Sequence, residues 1–284
     1  MAQHSPAWYD EQYNNRARVP ECVMHMQRWA HWSAQTRSEL SARLDLAYGP
    51  SGKQTLDVFD APTRHAPIVV FIHGGYWRSL DKSDHSFVAP AIQKAGAMPV
   101  IVNYDLAPQV SISEICLQMV RALAWVWRHG ADFGGDPERI HVVGHSAGGH
   151  LAAMVLACQW QRHEADLPPD LVKSALSISG LYELESISRS PMLQADLRLD
   201  AEQVLRCSPA WMPPPAHGTC WSVVGGLESE AFIRHHRLIQ TAWGLQRVPV
   251  CEVLPGLHHF NVLTSLTDPS SRLHQMALSL MKGT

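Results

Sequence analysis

Eight short strand-like segments occur along the chain from about residue 40 onward, separated by stretches with helical periodicity. The central segments are almost continuously apolar, which is typical of parallel strands covered by helices on both faces. This alternation predicts an α/β fold built on a mostly parallel, doubly wound sheet. The predicted strands are Arg43–Tyr48, Thr55–Phe59, Ile68–Ile72, Pro99–Val102, Ile140–Val143, Ala175–Ile178, Cys220–Val224 and Val250–Leu254.

The clearest helical pattern covers Ser111–His129. Ser111 and Glu114 have the spacing of a capping box, and Gly130 is placed where a C′ glycine ends a helix. The apolar stripe of this helix is predicted to be Ile112, Ile115, Met119, Leu123 and Val126.

Two regions interrupt the alternation. Residues 1–38 are helix-prone and rich in aromatic side chains, so we expect a helical extension that packs on the body of the domain. Residues 181–218 are proline-rich near their end and contain a helix-like Asp200–Arg206, which predicts a small cap or lid insertion. With 284 residues, the whole chain (1–284) is predicted to be one domain.

Composition limits the partners. The net charge of −3 is spread without basic stripes, so neither nucleic acid nor an anionic membrane surface is an expected partner. No window approaches the ~18 apolar residues of a membrane span, and the six cysteines form no C-x-x-C pair. We therefore expect a cytoplasmic protein acting on a small molecule, and a homodimer is compatible with the sequence. The 17 histidines show no metal-ligand spacing, so no metal and no cofactor are predicted.

Gly144-His145-Ser146-Ala147-Gly148 follows the apolar Ile140–Val143 and precedes a helix-like Ala147–Gln161. A G-x-S-x-G nucleophile elbow requires this setting of strand, tight turn and helix. A serine hydroxyl is a weak nucleophile at neutral pH, so the chain must also supply a base, an orienting acid and oxyanion donors. We predict Ser146 to be the nucleophile.

A glycine-rich loop, His73-Gly74-Gly75-Tyr76-Trp77, follows the predicted strand Ile68–Ile72. Lipase-like and esterase-like hydrolases carry an H-G-G oxyanion loop at this position. We expect an oxyanion hole formed by Gly74, Gly75 and Tyr76 together with Ala147. His73 itself is predicted to be structural.

The acid is expected after a late strand, because catalytic groups collect at the carboxyl ends of parallel strands. Glu228 lies closest to the end of Cys220–Val224, whereas Glu230 lies nearer to the following helix. Position favours Glu228, with Glu230 as its competitor.

The base is expected last in the chain order. His258 and His259 both follow Val250–Leu254, and the residues alone leave the choice open. The pair His235 and His236 is predicted to lie on a solvated helix face. His145 and His150, beside the elbow, are predicted to be local packing or hydrogen-bonding groups.

The loop His73–Trp77, the elbow Gly144–His150 and the segment Tyr13–Pro20 resemble the kynurenine formamidase (arylformamidase) branch of the α/β-hydrolase superfamily. The resemblance spans most of the chain and implies the α/β-hydrolase fold with a small cap. In that family the catalytic histidine directly precedes a Phe, which selects His259. The family acid precedes a Phe in a Gly/Ala-rich stretch, which matches Glu228, although Asp is common there.

The resemblance implies hydrolysis of an aryl formamide, N-formyl-L-kynurenine, to L-kynurenine and formate through a formyl-enzyme. The aryl amine needs an apolar pocket with polar groups for its amino-acid end. The aromatic residues near the predicted mouth are Tyr76, Trp77, Tyr104 and Tyr182.

Two other functions remain open. A carboxylesterase or another aryl amidase or carbamate hydrolase would use the same residues, because the triad does not fix the leaving group. An inactive hydrolase-fold binding protein is disfavoured, since Ser146, a late acid and a late histidine are all present.

Overall fold

An eight-stranded sheet forms the centre of the structure, a computed structural model that describes residues 4–282. The strand order is β1-β2-β4-β3-β5-β6-β7-β8, in which β2 pairs antiparallel with β1 and β4 and all other neighbours are parallel. The predicted mostly parallel α/β sheet is confirmed. The strands are β1 Ala42–Ala47, β2 Thr55–Phe59, β3 Ala66–Ile72, β4 Met98–Val102, β5 Gly135–His145, β6 Val172–Ile178, β7 Thr219–Gly225 and β8 Val250–Leu254.

Helices cover both faces of this sheet. Along β3, Ile68 and Val70 belong to one core cluster while Val69 and Phe71 belong to the other, as expected when successive side chains point to opposite faces. The helices are α1 Pro6–Tyr13, α2 Asn15–Arg18, α3 Cys22–Glu39, α4 Ala89–Lys94, α5 Ile112–His129, α6 Ala147–Leu156, α7 Glu185–Ser188, α8 Pro191–Leu197, α9 Ala201–Arg206, α10 Glu230–Arg247, α11 Asn261–Ser265 and α12 Arg272–Lys282. Within residues 4–282, no helix combines the length and the apolar character needed to cross a membrane.

All eight predicted strands coincide with observed ones, and β5 differs most. It begins before the apolar run because Gly135 and Asp136 pair with the start of β3. Helix α6 ends at Leu156 rather than at the predicted Gln161. A separate 3-10 turn follows there and buries Trp160 in the core.

The ends of α5 were only partly predicted. The Ser111 side chain accepts a hydrogen bond from Glu114 N at 3.1 Å, which caps the helix. The Glu114 carboxylate pairs with Arg121 instead of completing the capping box. The prediction for Gly130 is wrong, because its φ of −56° is right-handed and it starts a 3-10 turn; the left-handed residue after that turn is Gly134, with φ +88°.

Two peripheral segments, one N-terminal and one between β6 and β7, contact each other. The N-terminal segment, residues 4–39, contains α1 to α3, and the cap segment, residues 181–218, contains α7 to α9. Asp10 on α1 accepts hydrogen bonds from Ser190 Oγ at 2.5 Å and from Met192 N at 3.0 Å. One carboxylate thus joins the first helix to the start of α8.

Candidate active site

The sheet register brings distant parts of the sequence to one edge. Ile72 at the end of β3 pairs with Gly144, and His145 pairs with Ile178 at the end of β6. Gly225 at the end of β7 pairs with Leu254 of β8. The loops that follow these strands carry the predicted oxyanion donors, nucleophile, acid and base. Parallel strands therefore deliver all the predicted catalytic residues to the same edge.

Ser146 lies between β5 and α6 in a strained backbone conformation. Its φ is +58° and its ψ is −118°, a combination that non-glycine residues rarely adopt. A hydrogen bond from Ser146 N to Ile178 O, 2.8 Å long, anchors this turn to β6. The conformation presents the side chain to a cavity that Ser146 lines.

The glycines on either side of the serine leave no space for a side chain. A Cβ atom on Gly144 would lie 2.0 Å from Gly148 O, and one on Gly148 would lie 2.0 Å from Ile72 O. Backbone atoms cannot move away as a flexible side chain can. The elbow therefore requires glycine at both positions, as the motif predicts.

The acid and base candidates form a buried pair. His259 Nδ1 lies 2.6 Å from Glu228 Oε2, and the Glu228 side chain is 0% exposed. The other carboxylate oxygen accepts hydrogen bonds from Gly225 N at 2.8 Å and from Ser179 Oγ at 2.5 Å. Glu230 lies exposed at the first position of α10. The structure therefore brings Glu228, and not Glu230, to His259.

Ser179 was not singled out by the sequence. It follows β6 and has a left-handed backbone, with φ +53°. Its hydroxyl and the Gly225 N–H fix the Glu228 carboxylate, so the carboxylate in turn fixes the orientation of the His259 ring.

The free nitrogen of His259 faces the cavity. With Nδ1–H donating to the carboxylate, Nε2 is left as the acceptor of the neutral ring. Within residues 4–282 this Nε2 has no hydrogen-bond partner, and it is not enclosed. Ser146 and His259 line the same cavity without bonding to each other, and catalytic hydrogen bonds often tighten only when substrate is bound.

The neighbouring histidines have local structural roles. His258 Nδ1 accepts hydrogen bonds from Phe260 N and Asn261 N, at 3.2 and 3.3 Å, at the start of α11. His145 Nε2 donates to His259 O at 2.9 Å, and burial holds the pKa of His145 well below its usual range. His150 Nε2 donates to Cys207 O at 2.8 Å.

The prediction of a solvated face for His235 and His236 is wrong. His235 is 0% exposed, accepts from Tyr182 N at 3.1 Å and contacts Tyr13 OH at 3.0 Å. His236 is buried against β7, with Nδ1 3.0 Å from Ser222 Oγ. Burial lowers the pKa of both rings to about 4, so they stay neutral as parts of the core.

The glycine-rich loop has a left-handed backbone. The φ angles of Gly75, Tyr76 and Trp77 are +103°, +51° and +55°. A Cβ on Gly75 would lie 2.1 Å from Ser79 O, so only glycine fits there. Within residues 4–282, the N–H groups of Gly75, Tyr76 and Ala147 donate no hydrogen bond. They are available to an oxyanion, and Ala147 also opens α6, where the helix dipole favours negative charge.

The loop is held from behind by a histidine and a tyrosine. The Gly74 carbonyl lies 2.8 Å from His73 Nδ1 and accepts from Tyr104 OH at 3.3 Å. Tyr104 OH also donates to His73 O at 2.9 Å, and its ring stacks on His73 at 4.2 Å. A Cβ on Gly74 would lie 3.0 Å from Ser146 Cβ, so the loop packs directly against the elbow.

A cavity of about 460 Å³ opens above Ser146. The oxyanion loop, the N-terminal segment and α8 form its walls. Tyr76 lines it, and its hydroxyl donates to Tyr13 O at 2.7 Å, which ties the N-terminal segment to the loop. The apolar lining residues are Met26, Trp29, Leu80, Met192 and Phe260.

Three of the four aromatic residues expected at the mouth do not line this cavity. Trp77, Tyr104 and Tyr182 are each 0% exposed. Trp77 packs against the His150 ring at 4.9 Å, Tyr104 supports the loop from behind, and Tyr182 OH donates to Ser177 Oγ at 2.7 Å. Each side chain packs in the core, so the prediction that these three residues contact the substrate is wrong.

The cavity contains charged residues that the sequence did not single out. Arg78 follows the glycine-rich loop, and Asp196 lies on α8; their side chains form an ion pair at 2.6 Å. Arg16 lines the cavity from α2. The sequence gave a signal for Arg78, which lies beside the predicted oxyanion loop, and for Arg16, which lies in the segment Tyr13–Pro20, but none for Asp196. Among the residues that the structure describes, no group of three His, Cys, Asp or Glu side chains could hold a metal ion.

Known proteins are similar to this chain in sequence and in fold. A family model for the alpha/beta hydrolase fold matches residues 69–234, which include the loop, the elbow and Glu228. A kynurenine formamidase of Salmo salar is 28% identical over 95% of this chain and 92% of its own length. Esterase LipQ of Mycobacterium tuberculosis is 35% identical over 49% of this chain and 35% of its own length.

A solved structure extends the likeness to almost the whole fold. A protein of Silicibacter sp. tm1040, provisionally assigned as a thioesterase, superposes with a TM-score of 0.83 at 30% identity, covering 96% of this chain and 98% of that one. The chain therefore belongs to the α/β-hydrolase fold family, and it is a hydrolase similar to the kynurenine formamidases.

Proposed function

We propose that the protein hydrolyses an aryl formamide, N-formyl-L-kynurenine, to L-kynurenine and formate. One observation carries the proposal: the cavity lined by Ser146 and the buried His259–Glu228 pair belongs to a chain similar over 95% of its length to a kynurenine formamidase. Ser146 is the nucleophile, His259 the base and Glu228 the orienting acid.

In the first half-reaction, Ser146 Oγ attacks the formyl carbon while His259 Nε2 takes the hydroxyl proton. Glu228 stabilises the resulting imidazolium through its 2.6 Å contact with Nδ1. The N–H groups of Gly75 and Ala147 bind the oxyanion. The bond from the formyl carbon to the anilide nitrogen then breaks, His259 protonates that nitrogen, and L-kynurenine departs. The formyl group remains bonded to Ser146 Oγ as a formyl-enzyme.

In the second half-reaction, water attacks the formyl carbon as His259 Nε2 takes its proton. The bond to Ser146 Oγ breaks, the proton returns to that oxygen, and formate leaves. The enzyme is regenerated without any cofactor.

The cavity suits an aromatic leaving group. A formyl group needs almost no room on the acyl side, whereas the partly exposed Met26, Leu80 and Met192 offer apolar surface for an aryl ring. Burial raises the pKa of Tyr76 well above its usual range, so its phenol remains a neutral wall of the cavity.

The decisive experiment compares kcat/KM for N-formyl-L-kynurenine with kcat/KM for short p-nitrophenyl esters. A higher value for the formamide supports the proposal. Much faster ester cleavage would refute it in favour of a carboxylesterase, the second candidate, which the similarity to esterase LipQ favours.

Fluorophosphonate labelling tests the serine mechanism separately. We expect a single adduct in the wild-type protein and none in Ser146→Ala, measured by intact mass. An adduct that persists in the variant, or no adduct in the wild type, would remove Ser146 as the nucleophile.

A further inference from the structure

The ion pair between Arg78 and Asp196 leaves most of its hydrogen-bonding atoms unused. Arg78 Nη1 donates both side-chain hydrogen bonds of this residue, to Asp196 Oδ2 at 2.6 Å and to Met192 O at 2.9 Å. Within residues 4–282, Arg78 Nε and Nη2 and Asp196 Oδ1 have no partner, and none of these atoms is enclosed. The two side chains are 23% and 44% exposed. Both ions can therefore still bind a ligand.

The cavity has a surplus of positive charge. Its lining includes Arg16, Arg78 and a single carboxylate, that of Asp196. Arg16 is exposed on α2 and forms no ion pair within the described part of the chain. Two guanidinium groups beside one carboxylate favour a ligand that carries a carboxylate and an ammonium together.

The ion pair lines the same cavity as Ser146. Arg78 N donates to Gly75 O at 3.1 Å, so the backbone of Arg78 is attached to the oxyanion loop. Asp196 and Met192 lie on α8, on the cap side of the same cavity that Ser146 lines. A substrate with its formyl group at Ser146 can thus extend along this wall towards the charged residues.

We propose that Arg78, Arg16 and Asp196 form a subsite for the α-amino-acid end of the substrate. The substrate carboxylate binds Arg78 through Nε and Nη2 with Arg16 beside it, and the ammonium binds Asp196 Oδ1. This inference rests on the proposed function and narrows its substrate class to zwitterionic aryl formamides. A merely structural ion pair, joining the loop to the cap, is the alternative.

The test uses two substrates that differ only in the amino-acid end: N-formyl-L-kynurenine and N-(2-acetylphenyl)formamide, which keeps the ring, the ketone and the formamide. The measured quantity is the ratio of their kcat/KM values. A hydrogen bond to a charged group changes affinity by about tenfold or more. We therefore expect Arg16→Gln and Asp196→Asn each to lower this ratio by about tenfold or more, mainly through KM for N-formyl-L-kynurenine.

Glu202→Gln is the matched control, because Glu202 lies exposed on α9 and does not line the cavity. It should leave the ratio unchanged. Arg78→Met is informative only when Arg16→Gln is measured with it, because the Arg78 side chain also joins the loop to α8.

The possible results distinguish a failure of the proposed subsite from a failure of the proposed function. If neither Arg16→Gln nor Asp196→Asn changes the ratio, or if Asp196→Asn lowers both kcat/KM values equally, the subsite is refuted while formamide hydrolysis stands. If the wild-type protein cleaves neither formamide but cleaves esters, the proposed function itself fails.

Discussion

Tyr104→Phe removes one hydroxyl that supports the oxyanion loop. The Gly74 carbonyl and the Gly75 N–H belong to one planar amide and point in opposite directions. Tyr104 OH and His73 Nδ1 hold the carbonyl on the inner side, at 3.3 and 2.8 Å. The N–H is thereby held towards the cavity. Without the hydroxyl, only His73 fixes this amide.

The expected cost follows from these contacts. Loss of a whole oxyanion donor costs about 3 kcal/mol in the transition state. Because His73 still holds the Gly74 carbonyl, we expect roughly half of that, which corresponds to about a tenfold fall in kcat. KM should change little, since oxyanion donors act mainly on the transition state. The free energy of unfolding should fall by about 1–3 kcal/mol, because the buried His73 carbonyl loses the hydrogen bond from Tyr104 OH.

Tyr182→Phe is the matched control. Tyr182 is equally buried and its hydroxyl contacts Ser177 and Ser222, away from the loop. Both variants should lose similar stability in urea denaturation, while only Tyr104→Phe should lose kcat with N-formyl-L-kynurenine. Wild-type kcat in Tyr104→Phe, or equal losses in both variants, would refute the reasoning.

Three further predictions concern the catalytic base, the nucleophile elbow and the buried histidines. His259→Ala should lower kcat by several orders of magnitude and His258→Ala only mildly, as steady-state kinetics will show; the reverse result would reassign the base. Gly148→Ala should yield a destabilised protein with a lower thermal midpoint, because its Cβ would lie 2.0 Å from Ile72 O; an unchanged midpoint would contradict that contact. Burial lowers the pKa of His150, His235 and His236 from 6.5 to about 4, so the unfolded state binds these protons first and stability should fall as the pH drops from 6.5 towards 4. A urea midpoint that stays flat over this range would argue against a buried neutral ring.

The part of the site that lies at the strand ends could largely be predicted from the sequence. Parallel strands buried on both faces are recognisable as apolar runs, and the elbow around Ser146 has backbone requirements that only a few residue types meet. Because strand ends define the site, the order of the strands along the chain also indicated Glu228. The structure adds the contact that joins Glu228 to His259.

The walls of the cavity could not be predicted, because tertiary packing decides which side chains reach it. Tyr76 and Trp77 are neighbours with similar left-handed backbones, yet one lines the cavity and the other is buried. Asp196 meets Arg78 only because α8 folds back over the loop. The cap and N-terminal boundaries, the cytoplasmic location and the homodimer stay predictions.

The contact of Asp10 with Ser190 and Met192 joins two segments that line the cavity but carry none of the proposed reacting groups. The reacting groups follow strands of the sheet, whereas two of the three cavity walls come from peripheral segments that are joined to each other at this carboxylate. Substitutions in those segments can reshape the leaving-group pocket without moving Ser146 or His259. A reengineered specificity would therefore start from paired changes on α1 and α8, with the sheet left untouched.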